Sequence, residues 1–342
     1  MKKINWGIIG LGNIAQSFSE GFFGLENSKL LAVSSSNDSK LKYFKNRYEI
    51  SENYIFKNYE DLLKCKDVDI VYIALPNNLH YEWVDKCIEK NKKILVEKPA
   101  FLKLDHAEVI KEKILNKNLF FTEGYMYRYN PQIRKSLEII KSNELGDVIS
   151  MESSFCKNIL TKKKFFFFEK NKKIDTNNRL FNKDLGGGCI LDLGCYPTSF
   201  SLLIASMING VNFRKFKLKN VKKEINFTGV DIDAEAELCF DDNFTSKIKS
   251  SFKNSSGSST IIYCEKGNLL INNSWTGKTE VIKIINGKRE LIKNKYEKNI
   301  YSYEINEISK NILEGKNEPF YPAVTIEETI VNTNILESWL NA

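Results

Sequence analysis

Histidine is almost missing from this chain: His80 and His106 are the two in 342 residues. The seven cysteines, Cys65, Cys87, Cys156, Cys189, Cys195, Cys239 and Cys264, include no C-x-x-C pair. Together these shortages exclude the common structural zinc sets, and no metal site is expected. An odd count of scattered cysteines also fits a reducing compartment better than a disulfide framework. Proline and glycine are scarce, at 6 and 18, which excludes collagenous and Pro/Gly-rich disordered chains. No apolar run approaches the roughly 18 residues of a membrane span. After Met1-Lys2-Lys3 the apolar stretch runs only from Trp6 to Leu11, too short for a cleavable signal, so the expected location is cytoplasmic. Lys and Arg number 51 against 43 Asp and Glu, a net charge of +8. Spread along the chain, that excess suits an anionic small molecule as well as a polymer, and neither nucleic acid nor membrane is expected as a partner.

What remains is globular: 42% hydrophobic and 27% charged residues, at a length that predicts two domains. Residues 1–123 alternate short apolar strands with amphipathic helices, the pattern of a parallel α/β sheet with right-handed crossovers. The nearly uninterrupted apolar run 69–75 reads as a strand buried on both faces. After a helix over 131–141 the period changes to two. Hairpins are predicted around Asp241-Asp242-Asn243, Glu265-Lys266-Gly267 and Asn286-Gly287. Residues 124–342 are therefore expected to form an α+β domain with a large, mostly antiparallel open sheet, closed by helices over 301–313 and 326–340.

Gly10-Leu11-Gly12-Asn13-Ile14-Ala15 follows the first strand and opens a helix, fitting the dinucleotide fingerprint in its Ala-terminated form. Gly10 makes the turn, Gly12 lets backbone approach a pyrophosphate, and the N–H groups around Leu11, Asn13 and Ile14 face its oxygens. The second strand ends Ser34-Ser35-Ser36-Asn37, without the carboxylate that binds the ribose 2′-hydroxyl of NAD. Ser35, Ser36 and Lys40 suit a 2′-phosphate, so NADP is favoured over NAD. Leu75, Pro76, Asn77 and His80 follow the third long strand, and Glu97-Lys98-Pro99 the fourth, at the carboxyl edge where cofactors bind. His80 fits a helix cap or a packed residue equally well. Proline biases Lys98 toward an extended backbone, with a cis bond allowed. Gly186-Gly187-Gly188 precedes an apolar helix on which Asp192 and Tyr196, four apart, share a face. The glycines are read as allowing close approach of a ligand. A tyrosine beside a cationic lysine is a candidate proton donor for carbonyl reduction, with direct donation by Lys98 as the alternative. Cys189 and Cys195 sit in apolar surroundings and read as structural thiols.

Gly10–Ala15, Glu97-Lys98-Pro99 and Gly186–Gly188 with Asp192-x-Gly194-x-Tyr196, in that order, resemble the glucose–fructose oxidoreductase / inositol dehydrogenase / MocA family. The stretches 123–131 and 192–197 are similar to its dimeric dihydrodiol dehydrogenase and sugar oxidoreductase branch. The resemblance implies a Rossmann domain, a second open-sheet domain that often pairs between subunits, and reversible hydride transfer at a sugar, cyclitol or related carbon. It carries the family lysine onto Lys98 and the family aspartate onto Asp192, while Tyr196 stands where many members have histidine. The expected catalytic set is Lys98, Tyr196 and Asp192, with Arg128 and Arg179 added for substrate, and a homodimer or homotetramer is expected. The alternatives are a nucleotide-sugar ketoreductase or dehydrogenase, with Arg128 or Arg179 on a pyrophosphate, and a non-catalytic NADP sensor. The run Lys162-Lys163-Lys164-Phe165-Phe166-Phe167-Phe168 offers a membrane or single-stranded nucleic-acid surface as the remaining reading, less favoured than a cleft or interface loop.

Overall fold

A computed structural model describes residues 2–164, 168–255, 257–293, 296 and 298–342, with backbone alone for 162–164 and 168–171. Phe165, Phe166 and Phe167 of the basic aromatic run lie outside the described residues; the flanking strands β8 (Thr161–Lys164) and β9 (Phe168–Asn171) pair antiparallel.

The chain divides into two compact units, Met1–Tyr129 with Glu297–Ile330, and Asn130–Tyr296 with Val331–Ala342. In the first, β1 (Ile4–Ile9), β2 (Ser28–Ser34), β3 (Ile55–Phe56), β4 (Ile70–Ile73), β5 (Lys93–Glu97) and β6 (Phe121–Gly124) form a parallel sheet in the order β3-β2-β1-β4-β5-β6. This is the doubly wound dinucleotide-binding order, with its reversal between β1 and β4. Alternation splits the strands between two cores. Trp6, Ile8 and Tyr72 pack on one face with Phe18 and Leu95, and Ile9, Val71 and Ile73 on the other with Val84, Val96 and Ile110. The first face is covered in part by α8 (Ile300–Leu313), which contributes Ile305 and Ile308; Ser309 there accepts a hydrogen bond from Trp6 Nε1 at 2.9 Å. That cover explains why residues 300–313 group with the first unit.

The second unit is built on eight strands in the order β10-β11-β12-β7-β13-β14-β15-β16. They are β7 (Val148–Cys156), β10 (Phe216–Ile225), β11 (Asp231–Phe240), β12 (Phe244–Ser251), β13 (Thr260–Cys264), β14 (Gly267–Asn272), β15 (Glu280–Ile285) and β16 (Lys288–Ile292). Every pairing is antiparallel except β12 with β7. Asn286 and Gly287 both take positive φ, 50° and 77°, as the tight hairpin turn between β15 and β16 requires. The helix α7 (Cys195–Ala205) is buried along its whole length. Residues 183–205 are long and apolar enough to span a bilayer by composition, contrary to the sequence expectation, yet 94% of the apolar window is buried within the protein. The edge strand β10 escapes sequence reading because Lys-Leu-Lys-Asn-Val-Lys-Lys carries little apolar signal, and charge is what protects a sheet edge.

Candidate active site

Two glycines shape the loop after β1. Gly10 has φ 86°, and a Cβ there would stand 2.6 Å from the Ala74 carbonyl oxygen and 2.7 Å from Leu75 Cδ2. Only glycine lets this turn pass β4. At Gly12, by contrast, a Cβ would meet nothing within 4 Å. Gly12 caps α1 (Asn13–Ser19), whose first N–H groups receive no side-chain cap. Open space above uncapped N–H groups fits a dinucleotide pyrophosphate.

Beyond β2, Ser35 is buried and its Oγ accepts from Asn37 N at 3.1 Å, while Ser36 is exposed. Asn37 caps α2 (Asp38–Arg47) by accepting from Lys40 N at 3.0 Å. The Asp38 carboxylate is paired with Lys57 at 2.8 Å. A cavity of about 250 Å³ is lined by Gly12, Asn13, Gln16, Ser39, Lys40 and Tyr43. Gln16 Nε2 donates to the Tyr43 hydroxyl at 2.7 Å across it. Sequence reading misses Gln16 and Tyr43, since nothing local says that α1 and α2 meet.

Of the segment after β4, Leu75 and Asn77 are buried and Pro76 is exposed. His80 opens α4 (His80–Glu89) and is 0% exposed, with Nδ1 2.9 Å from the Pro99 carbonyl oxygen and Nε2 2.9 Å from that of Leu75. Both ring nitrogens thus lie against backbone carbonyls within the unit. Lys98 is half-buried at the end of β5 and precedes a cis bond to Pro99. Glu97 accepts from the buried Tyr72 hydroxyl and, at 3.2 Å, from Lys98 N. Glu123 on β6 accepts from Ala100 N at 2.9 Å and from Thr329 Oγ1 at 3.0 Å; burial pushes its carboxyl up to about 7. Arg128, expected to hold substrate, is 1% exposed and donates to Glu328 at 2.8 Å and to the Pro322 carbonyl at 3.2 Å. Its guanidinium ties the segment after β6 to the 322–328 segment of the same unit.

In the second unit the triple glycine serves the chain itself. A Cβ on Gly187 would lie 2.6 Å from the Arg179 carbonyl oxygen, and one on Gly188, at φ 108°, 2.3 Å from Asp231 Oδ1. Asp231, buried at the start of β11, accepts from Ile190 N at 2.6 Å, and burial raises its carboxyl. The ligand-approach reading of Gly187 and Gly188 is therefore corrected: the 179–182 carbonyls and the Asp231 carboxylate fill the space. The helix is not uniformly α either. Ile190–Gly194 forms a π turn that carries Asp192, so the simple four-residue register to Tyr196 does not apply. Arg179 Nη2 donates to Asp192 Oδ1 at 3.0 Å, bringing two expected substrate residues together. Tyr196, 5% exposed, packs edge-on against Phe155 with ring centres 5.1 Å apart and against Trp275 at 5.8 Å. Cys189 is wholly buried against Ser250, and burial lifts its thiol far above the ordinary range; Cys195 is buried as well.

A doubly wound sheet whose glycine turn leaves an open cradle defines a dinucleotide-binding protein. Residues 4–125 match the oxidoreductase family with an NAD-binding Rossmann fold, and residues 133–270 match the GFO/IDH/MocA C-terminal domain. The chain belongs to the GFO/IDH/MocA oxidoreductase family. It is 36% identical over 151 residues to oxidoreductase P35 of Formosa agariphila, covering 44% of this chain and 46% of that protein. With the trans-1,2-dihydrobenzene-1,2-diol dehydrogenase of Xenopus tropicalis it shares 25% identity over 83% of this chain and 79% of the relative. A D-xylose 1-dehydrogenase (NADP(+)) of Haloferax volcanii is 28% identical over 58% of this chain and 54% of its own. The aldose–aldose oxidoreductase of Caulobacter crescentus has the same fold, with a TM-score of 0.82 at 21% identity, covering 100% of this chain and 97% of the other.

Proposed function

We propose that the chain is an NADP-preferring oxidoreductase acting on a secondary hydroxyl or ketone of a sugar, cyclitol or related vicinal diol. The observation that carries the cofactor preference is the cavity beside Gly12, which holds Lys40 and Ser39. Among the described residues lining it there is no carboxylate. Lys40 supplies the charge-assisted bond a 2′-phosphate takes. The bound nicotinamide supplies or takes up a hydride. Lys98, emerging from β5 at the carboxyl edge of the sheet, holds positive charge for the substrate oxygen. Tyr196 is the proton donor of the reducing direction, and Asp192, held by Arg179, orients substrate hydroxyls. The names of the dihydrodiol and xylose dehydrogenase relatives support the substrate class.

The test is a spectrophotometric screen at the nicotinamide band, with NADPH, NADH and their oxidised forms, against free sugars, polyols and nucleotide sugars. Turnover with a member of those classes is expected. Tight NADPH binding without turnover on any of them would replace this reading with the sensor. The burial of Arg128 leaves the nucleotide-sugar reading with Arg179 alone of its two arginines, so free sugars and polyols come first.

A second copy of the chain is proposed as the cover for the outer face of the eight-stranded sheet. Glu152, Glu235, Lys222, Lys247 and Lys249 line an open groove of about 680 Å³ there with half-buried Ile261. Light scattering that finds only a 39.5 kDa particle at micromolar concentration would remove that proposal.

A further inference from the structure

Both ring nitrogens of His80 point at backbone carbonyl oxygens, each 2.9 Å away. A carbonyl oxygen accepts and never donates. A neutral imidazole has one N–H and one lone pair, so it satisfies one of these oxygens and turns its lone pair on the other. Both contacts are satisfied only when both nitrogens carry hydrogen. The two oxygens belong to the segments leaving neighbouring strands: Leu75 after β4, which Gly10 abuts, and Pro99, which follows Lys98.

The Pro99–Ala100 peptide is held at both ends. Its oxygen lies 2.9 Å from His80 Nδ1, and its N–H donates to Glu123 Oε1 at 2.9 Å. This peptide, one residue beyond the Lys98–Pro99 bond, is thus strung between an imidazole on α4 and a carboxyl on β6. The charged groups on the elements around His80 are Glu97 and Lys98 at the end of β5 and Glu123 on β6. On α4 itself they are Glu82, Asp85, Lys86 and Glu89; Lys86 is paired with Glu82 and Glu60, and Asp85 with Lys113. His106 on the neighbouring helix α5 (Leu104–Lys117) stacks on Tyr81 at 4.0 Å.

We propose that His80 is a positioning residue, held as the imidazolium, that pins the segment after Lys98 to the segment after β4 and so sets where the Lys98 ammonium stands. The proposal rests on the reading of Lys98 as the group that meets substrate oxygen. It goes beyond that reading in assigning the form and task of a buried histidine.

Only two histidines exist, so the test is direct. Full-length protein labelled with 15N-histidine, alongside a His106→Gln variant to assign the signals, is examined by long-range 1H–15N correlation at pH 7.5. Two protonated ring nitrogens, with exchange-protected protons, are expected for His80. A single protonated nitrogen would overturn the proposal. Amide exchange of Ala100 gives a readout independent of any reaction: His80→Gln should accelerate it at least 10-fold, and an unchanged rate would overturn the pinning role. In whichever reaction the screen identifies, His80→Gln should lower kcat at least 10-fold while the NADPH Kd moves less than 3-fold. A normal kcat would overturn the link to Lys98. If the screen finds no reaction, the nuclear and exchange measurements still decide the imidazolium and the pin, so failure of the functional reading stays distinct.

Discussion

Two substitutions of the same kind, Gly188→Ala and Gly12→Ala, should have opposite consequences. At Gly188 the backbone has φ 108°, and the added methyl would lie 2.3 Å from Asp231 Oδ1. Holding alanine in that conformation costs on the order of 1–3 kcal/mol. The carboxylate must also move, and its other oxygen is the acceptor for Ile190 N at 2.6 Å. Losing a hydrogen bond to a charged group costs roughly 1.5–3 kcal/mol. The sum predicts a loss of about 2.5–6 kcal/mol, read as an early urea transition in the fluorescence of Trp275 and Trp339, which lie in the same unit. At Gly12 a methyl meets nothing within 4 Å, so the unfolding curve should stay within about 0.5 kcal/mol of wild type. That methyl instead occupies the cradle over α1, and NADPH affinity should fall at least about 100-fold, near the 2.7 kcal/mol of two tenfold steps. Wild-type stability in Gly188→Ala would refute the reasoning about Asp231. Wild-type NADPH binding in Gly12→Ala would refute the cradle.

Lys40→Ala should weaken NADPH by roughly 10- to 100-fold, the worth of one charge-assisted bond, and leave NADH unchanged in parallel fluorescence titrations. Lys98→Ala should lower turnover at least about 100-fold, and Tyr196→Phe about as much if the tyrosine is the donor, with cofactor affinity nearly unchanged in Tyr196→Phe. Near-normal turnover in both would place the chemistry elsewhere. The raised carboxyl of Glu123 means that the folded chain binds more protons than the unfolded one between their two values, so stability falls as pH rises. From the ordinary value of 4.5 to about 7, the loss between pH 5 and pH 8 comes to roughly 2.5 kcal/mol. Glu123→Gln should remove that slope from its own denaturation profile, so the wild-type and variant profiles should diverge by that amount across this range. A parallel pair of profiles would refute it.

The fold was legible where local chemistry decides the outcome. A strand, a glycine turn and a helix opening must follow one another in Ile4 to Ala15, and Asn286-Gly287 turns a hairpin whatever surrounds it. The return of α8 was not legible, because it depends on which face of a sheet is left uncovered, and no residue near Ile305 records that Trp6 and Tyr72 lie waiting. The same holds for Gln16 with Tyr43 and for Arg128 with Glu328, pairs 27 and 200 positions apart. Glycine shows most clearly where the sequence stops. It states that a side chain is not tolerated and leaves open what stands opposite. At Gly12 the space is open and a ligand can take it; at Gly188 an aspartate from 43 residues further along the chain already has. A motif read as a binding loop is therefore two different statements, and only the position of the neighbouring atom separates a place made for a ligand from a place the chain has filled for itself.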